Sequence, residues 1–228
     1  MSQRSTIPKM PDEDKLVFSE GVDYEKTGSV SIWGSEDSLA REALERVEGG
    51  VWLNMCAGDG RFNSILLSRA NSVVAADIDP GALDKLLNAT DLKQRSRLSL
   101  MICNVVERLP FKSGYFDGIF CAGTLHLFPK EIFTQILSEF ERILKPNGEV
   151  IIDYAADIRR VREDGSLYTV RHEPLYTLNE ALNLLKESFT NFKCAIRTDV
   201  SEPELVEVRG EKYFFSCNYI LVRAKKRT

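Results

Sequence analysis

The chain has 228 residues, 43% hydrophobic and 28% charged, with a formal net charge of −4. Those are the proportions of a soluble globular protein with one sizeable core. No apolar run approaches the roughly 20 residues that span a bilayer, and the acidic balance argues against a broad nucleic-acid footprint. The five cysteines, Cys56, Cys103, Cys121, Cys194 and Cys217, show no CxxC spacing. They read as reduced thiols of a cytoplasmic protein, with neither disulfides nor a metal site.

In chain order, residues 1 to about 20 are polar and lack the apolar segment of a signal peptide; they read as a loose arm. Tyr24 to Gly34 (YEKTGSVSIWG) is aromatic and glycine-containing. Two readings stay open there, a surface loop tucking Trp33 against the core or a lid over a cofactor. Ser35 to Val47 predicts a helix capped by Ser35, with Leu39, Ala43, Leu44 and Val47 facing inward. Strands and helices then alternate. Val51–Met55, Ser72–Ala76, Leu98–Cys103, Gly118–Cys121 and Glu149–Tyr154 read as strands, and Arg61–Ala70, the segment opened by Asp79-Pro80, and Pro129–Leu144 as helices. Asp79 is the expected N-cap, with Pro80 at the first helical position. Lys145-Pro146-Asn147-Gly148 predicts a turn.

After the fifth strand the pattern loosens. Ala155–Tyr176 is charged, Leu178–Phe189 reads as a helix, and Phe192–Thr198 and Tyr213–Ala224 as two strands joined through an acidic stretch with no helix between them. That connection suits an antiparallel pair at the edge of an otherwise parallel sheet. The expectation is an α/β fold with a doubly wound, mostly parallel seven-stranded sheet and an antiparallel edge strand. It forms one domain over residues 1–228, with an N-terminal arm or lid to about residue 35.

The stretch VWLNMCAGDGRF, Val51 to Phe62, joins a buried strand to a helix through a glycine turn, an arrangement that aims backbone N–H groups at an anionic ligand. A P-loop is excluded because no Gly-Lys-Ser/Thr follows. The dinucleotide fingerprint G-x-G-x-x-G lacks its third glycine, since Asn63 stands there. Asp77, at the end of the second strand, would suit a ribose hydroxyl of either kind of nucleotide.

Four passages in order resemble the class I S-adenosylmethionine-dependent methyltransferases of the small-molecule, type 11 kind. VWLNMCAGDGRF is similar to their first motif, D/E-x-G-x-G-x-G, and VVAADIDPGAL to the second. NVVERLPFKSGYFDGIFCAGTLHLF resembles the third and fourth, and EFERILKPNGEVII the passage into strand five. The chain departs from the first motif where Asn54 replaces the usual acid and Cys56 the usual first glycine. Asn54 removes a negative charge that would favour the sulfonium, and Cys56 is small enough for a similar turn.

The resemblance implies a Rossmann-like methyltransferase fold, S-adenosylmethionine as cofactor, and a cofactor site made of Asn54, Cys56, Ala57, Gly58, Gly60, Asp77, Ile78, Asn104, Val105, Cys121 and Ala122. Gly58 and Gly60 would let backbone amides approach the methionyl part, and Asp77 would accept from both ribose hydroxyls. Ile78 would pack on the adenine and Asn104 would accept from its amino group. Cys121 and Ala122 would flank the reacting methyl. Methyl transfer needs placement and water exclusion more than acid–base groups.

His126 is the candidate base, against a simple packing role near the rim, and His172 is a weaker one. Tyr24, Tyr154 and the arginines 159–171 are candidate acceptor contacts, and those arginines would suit an acidic or phosphate-bearing acceptor. The signatures of nucleic-acid base methylases are missing from Cys121–Thr124. The expected partner is therefore a small-molecule acceptor, with no membrane and no clear nucleic-acid footprint. The alternatives are a binding or scaffold protein that keeps the fold without turnover, and methylation of a protein or tRNA.

Overall fold

The computed structural model describes residues 22–33, 38–170, 173–208 and 210–228. Ser35, the expected cap of the first helix, together with Arg171 and His172, lies outside them. Eight strands form one sheet: β1 (Val51–Met55), β2 (Ser72–Asp77), β3 (Leu98–Ile102), β4 (Phe116–Cys121), β5 (Leu144–Val161), β6 (Phe192–Val200), β7 (Glu204–Val208) and β8 (Glu211–Lys226). The order is β3-β2-β1-β4-β5-β8-β6, with β7 paired to β8 off that path. β1 to β5 run parallel, whereas β8 is antiparallel to β5, β6 and β7. The expected doubly wound, mostly parallel sheet with an antiparallel strand near its edge is the observed fold.

Among the described residues five α-helices cover the two faces: α1 (Ser38–Glu45), α2 (Asn63–Arg69), α3 (Pro80–Ala89), α4 (Lys130–Ile143) and α5 (Leu178–Ser188). Successive strand residues point to opposite layers. Leu53, Ile119 and Ile152 join the core under α4 and α5, and Trp52, Phe120 and Ile151 the core under α1 and α2. Trp52 lies flat against β4 because Gly118 has no side chain; a Cβ there would sit 2.5 Å from the indole ring. Asp79 caps α3 as its sequence predicts, its Oδ1 accepting from Gly81 N at 2.8 Å and Ala82 N at 3.3 Å.

Three features differ from expectation. The Lys145–Gly148 turn is a loop bulged out of β5, whose pairing with β4 jumps from Leu144 to Glu149 around Asn147, at φ 62°. Next, β5 runs on to Val161 and pairs again with β8 past a bulge at Asp157, φ 49°, where a loose charged segment is expected. Finally, the acidic connection before β8 contains a strand, β7, paired from Glu204↔Phe215 to Val208↔Glu211. Its glutamates stand among Leu205, Val206 and Val208, so the apolar signal is diluted while the backbone still completes a ladder with β8.

Candidate functional site

The C-terminal ends of the parallel strands open into a cavity of about 450 Å3, the place where open α/β sheets receive ligands. β1 leaves the sheet through Cys56, at φ 54°, and Gly58, at φ 52°. The left-handed backbone at Cys56 explains why glycine suits that position. Carrying a side chain there costs about 1–2 kcal/mol. Ala57 N donates to Ala76 O at 3.0 Å, tying the turn to β2.

Asp77 closes the turn from below. Its Oδ2 accepts from Gly58 N at 2.8 Å and its Oδ1 from Asp79 N at 3.0 Å. Burial raises its pKa above the ordinary carboxylate value, and these amide donors only partly offset the rise. Each oxygen keeps a lone pair, so a pair of hydroxyls reaching Asp77 from the cavity would relieve a carboxylate that the protein alone leaves under-stabilised.

Asn54, Cys56, Ala57, Gly58, Asp77, Ile78, Asn104, Val105 and Ala122 all line the cavity. Two residues of the expected set do not. Gly60, at φ 94°, faces α3, where a Cβ would sit 2.8 Å from Leu86 Cγ, so its role is packing. Cys121 is fully buried in the layer beneath, its thiol pushed up by a hydrogen bond with Cys56 and by burial. Asn104 Oδ1 already accepts from Val106 N at 3.2 Å, which fixes the side chain.

The 22–33 segment forms part of the wall through Tyr24, Ile32 and Trp33. It is clasped to the glycine turn by Asp59, which accepts from Ser31 Oγ at 2.6 Å and Ile32 N at 3.0 Å. Asp59 also pairs with Lys85 Nζ at 2.9 Å, with side chains 0% and 6% exposed. Lys85 in turn donates to Thr27 Oγ1 at 2.7 Å. Burial, and then the Asp59 carboxylate, raise the Tyr24 phenol.

On the opposite side lie His126, Leu127 and Phe128 after β4, Asp153 and Arg160 from β5, and residues of the β7–β8 hairpin. Of the arginines expected to suit an acidic acceptor, Arg160 lines the cavity. Arg160 makes a bidentate pair with buried Glu173, at 2.6 and 2.9 Å, and Arg162 pairs with Glu211 at 3.1 Å. Arg159 is exposed and does not line the cavity. Of the two tyrosines expected to contact the acceptor, Tyr24 lines the cavity, but Tyr154 lies sealed beneath it with its hydroxyl unpartnered.

His126 is buried, and burial followed by the Arg160 charge pushes its pKa down to about 3. A neutral imidazole that weak is a poor general base. Because its folded value lies below the unfolded one, the stability it contributes is present above about pH 6.5 and lost as pH falls toward 3. Urea unfolding between those limits is expected to lose up to about 1.4 kcal/mol per pH unit through this residue. A His126→Phe variant should show a flatter profile, and an unchanged slope would refute the assignment.

Asp153 is one polar lining residue that the motifs did not reveal, as are Glu204 and Glu207 of β7; Asp153 is buried and its Oδ1 accepts from Gly123 N. The signal was the same as for Asp77, an acid ending an apolar strand (EVIID). Tyr213, Phe215 and Tyr219 also line the cavity; they lie on the expected strand Tyr213–Ala224, whose place at the sheet edge gives no sign of a ligand wall.

A glycine turn after β1, an acid after β2 and a cavity over the parallel strand ends define the class. Residues 53–152 match the family described as a methyltransferase domain, in agreement with the class I resemblance of the motifs. Among similar proteins are an uncharacterized methyltransferase of Synechocystis sp., 27% identical over 54% of this chain and 56% of its own length, and the demethylmenaquinone methyltransferase of Clavibacter sepedonicus, 28% identical over 65% and 60%. The chain thus spans less than two thirds of either relative. Similar solved structures include a protein of Bacillus halodurans described as a putative methyltransferase, 17% identical with a TM-score of 0.59 over 82% of this chain and 97% of that one. Another is the Burkholderia thailandensis 1,6-didemethyltoxoflavin-N1-methyltransferase with bound 1,6-didemethyltoxoflavin and S-adenosylhomocysteine, 21% identical with a TM-score of 0.53 over 84% and 80%. At these identities they share the Rossmann-like methyltransferase fold.

Proposed function

We propose that this protein binds S-adenosylmethionine at the Asp77 end of the cavity and transfers its methyl group to a small-molecule acceptor at the His126 end. The observation that carries the reading is the meeting of Gly58, Asp77, Ile78, Asn104 and Ala122 around one cavity, in the order that their motifs require. The donors present suit the group. Asp77 offers two acceptor oxygens to a ribose. Arg61 lines the cavity beside the turn and has no carboxylate partner among the described residues, so its guanidinium suits the methionyl carboxylate. Asp153 places a carboxyl group on the β5 side of the same cavity.

When bound, S-adenosylmethionine supplies a methyl on a positively charged sulfur; the acceptor's lone pair forms the new bond to carbon while the S–CH3 electron pair returns to sulfur. The protein's own contribution is placement and dryness. Tyr24, Ile32 and Trp33 act as the lid over the cofactor, held to the turn by Asp59. The β7–β8 hairpin walls the acceptor side. Among the described residues no helix is long and apolar enough to cross a membrane. The five cysteines are free thiols, which supports a reducing, cytoplasmic setting.

Transfer of a labelled methyl from S-adenosylmethionine across a metabolite panel tests the activity. At least one small acceptor is expected to become labelled. Cofactor binding with no labelled product would put the non-catalytic reading ahead.

A further inference from the structure

The acceptor half of the cavity carries a chemistry that the motifs do not specify. Resting on the methyl-transfer reading above, we propose that it takes an uncharged, flat aromatic or heteroaromatic acceptor. Rings stand on its walls, Phe128 after β4 and Tyr213 and Phe215 on β8, beside the β7 residues Glu204 to Glu207. Those rings are held in place. Tyr213 stacks on Tyr168 with centroids 5.0 Å apart and planes 20° from parallel, and Phe215 lies under the Arg160 guanidinium at 5.7 Å. Fixed aromatic faces favour a planar guest, which makes offset-stacked or edge contacts without ordering new side chains.

Charge matching removes the alternatives. The guanidinium on this wall, Arg160, is closed by Glu173, with side chains 8% and 0% exposed. An anionic acceptor would lose its hydration and gain little from a cation already paired through both terminal nitrogens, and the exposed Glu204 and Glu207 of β7 add negative charge to the same cavity. A protonated amine has no lone pair to receive a methyl, and His126, neutral and weakly basic, would not take its proton. An uncharged ring bearing its own lone pair meets neither obstacle.

Binding to the protein loaded with S-adenosylhomocysteine tests this without any turnover. The probes are quinoline, uncharged near neutral pH, and quinaldate, the same ring carrying a carboxylate. Quinoline is expected to bind about tenfold or more tighter than quinaldate, a difference of about 1.4 kcal/mol. Phe215→Ala should weaken quinoline about fivefold or more while leaving S-adenosylhomocysteine affinity unchanged. Glu173→Gln, which uncovers Arg160, should reverse the preference by strengthening quinaldate. Equal or tighter binding of quinaldate by the unaltered protein overturns the proposal, as does failure of quinoline to bind a protein that does take up S-adenosylhomocysteine. A protein that takes up no S-adenosylhomocysteine defeats the cofactor reading itself, and this proposal with it.

Discussion

Asp77→Ala is expected to weaken S-adenosylmethionine binding by about 100-fold or more while the protein stays folded. The carboxylate offers both oxygens to the cavity, and hydrogen bonds to a charged group are each worth about 1.5–3 kcal/mol. Losing two of them costs at least about 3 kcal/mol, or a factor above 100. The fold should survive because burial already disfavours the charged form of this carboxylate. Removing it therefore eliminates an unfavourable desolvation along with the bonds from Gly58 N and Asp79 N. Calorimetric titration of the variant, with its urea midpoint as the folding control, is the check. Near-normal affinity would refute the ribose assignment.

The second large effect is expected at Asp59. Asp59→Ala strands Lys85, 6% exposed, without its carboxylate, and frees Ser31 Oγ and Ile32 N from the glycine turn. Breaking one side of a buried pair costs about 3–5 kcal/mol, a large share of the stability of a domain. Asp59→Leu combined with Lys85→Met should recover most of that stability, because no buried charge is left unpaired. The double variant should still bind cofactor less well, since nothing then holds the 22–33 segment over the turn. Urea unfolding separates the two effects from binding. A single variant as stable as the parent would show that the pair does not clasp the segment.

Both predictions start from residues whose roles were unequally visible in the sequence. Asp77 was legible because a strand-ending acid two residues before a separate helix cap has little local work to do. Asp59 was not, since the glycine turn was read for its backbone alone, and its partners lie 26 to 28 positions away in the chain. The parallel half of the fold was legible for a physical reason. The central strands β1, β2 and β4 are largely buried, and each, like the half-exposed edge strand β3, reads as a short apolar run closed by a turn. The antiparallel half was harder to read. β7 carries glutamates on a solvent-facing rim, and the outer part of β5 is rich in charge, so hydrogen bonding to β8 rather than hydrophobic pattern holds them in the sheet. The cavity wall proposed for the acceptor is built from those strands, so the motifs reach the lining around Gly58 and Asp77 and not the lining from the β7–β8 hairpin. Gly60 and Cys121 show the opposite error. Both sit in motif positions, yet packing against Leu86 and burial under the sheet turn them away from the cavity.

The central claim is that the Gly58–Asp77 cavity is built for S-adenosylmethionine, and calorimetric titration of the unaltered protein with that compound, with NAD as control, tests it most directly. The account predicts saturable one-to-one binding of S-adenosylmethionine and no heat from NAD. No binding of S-adenosylmethionine up to high micromolar concentration, or a preference for NAD, would contradict it.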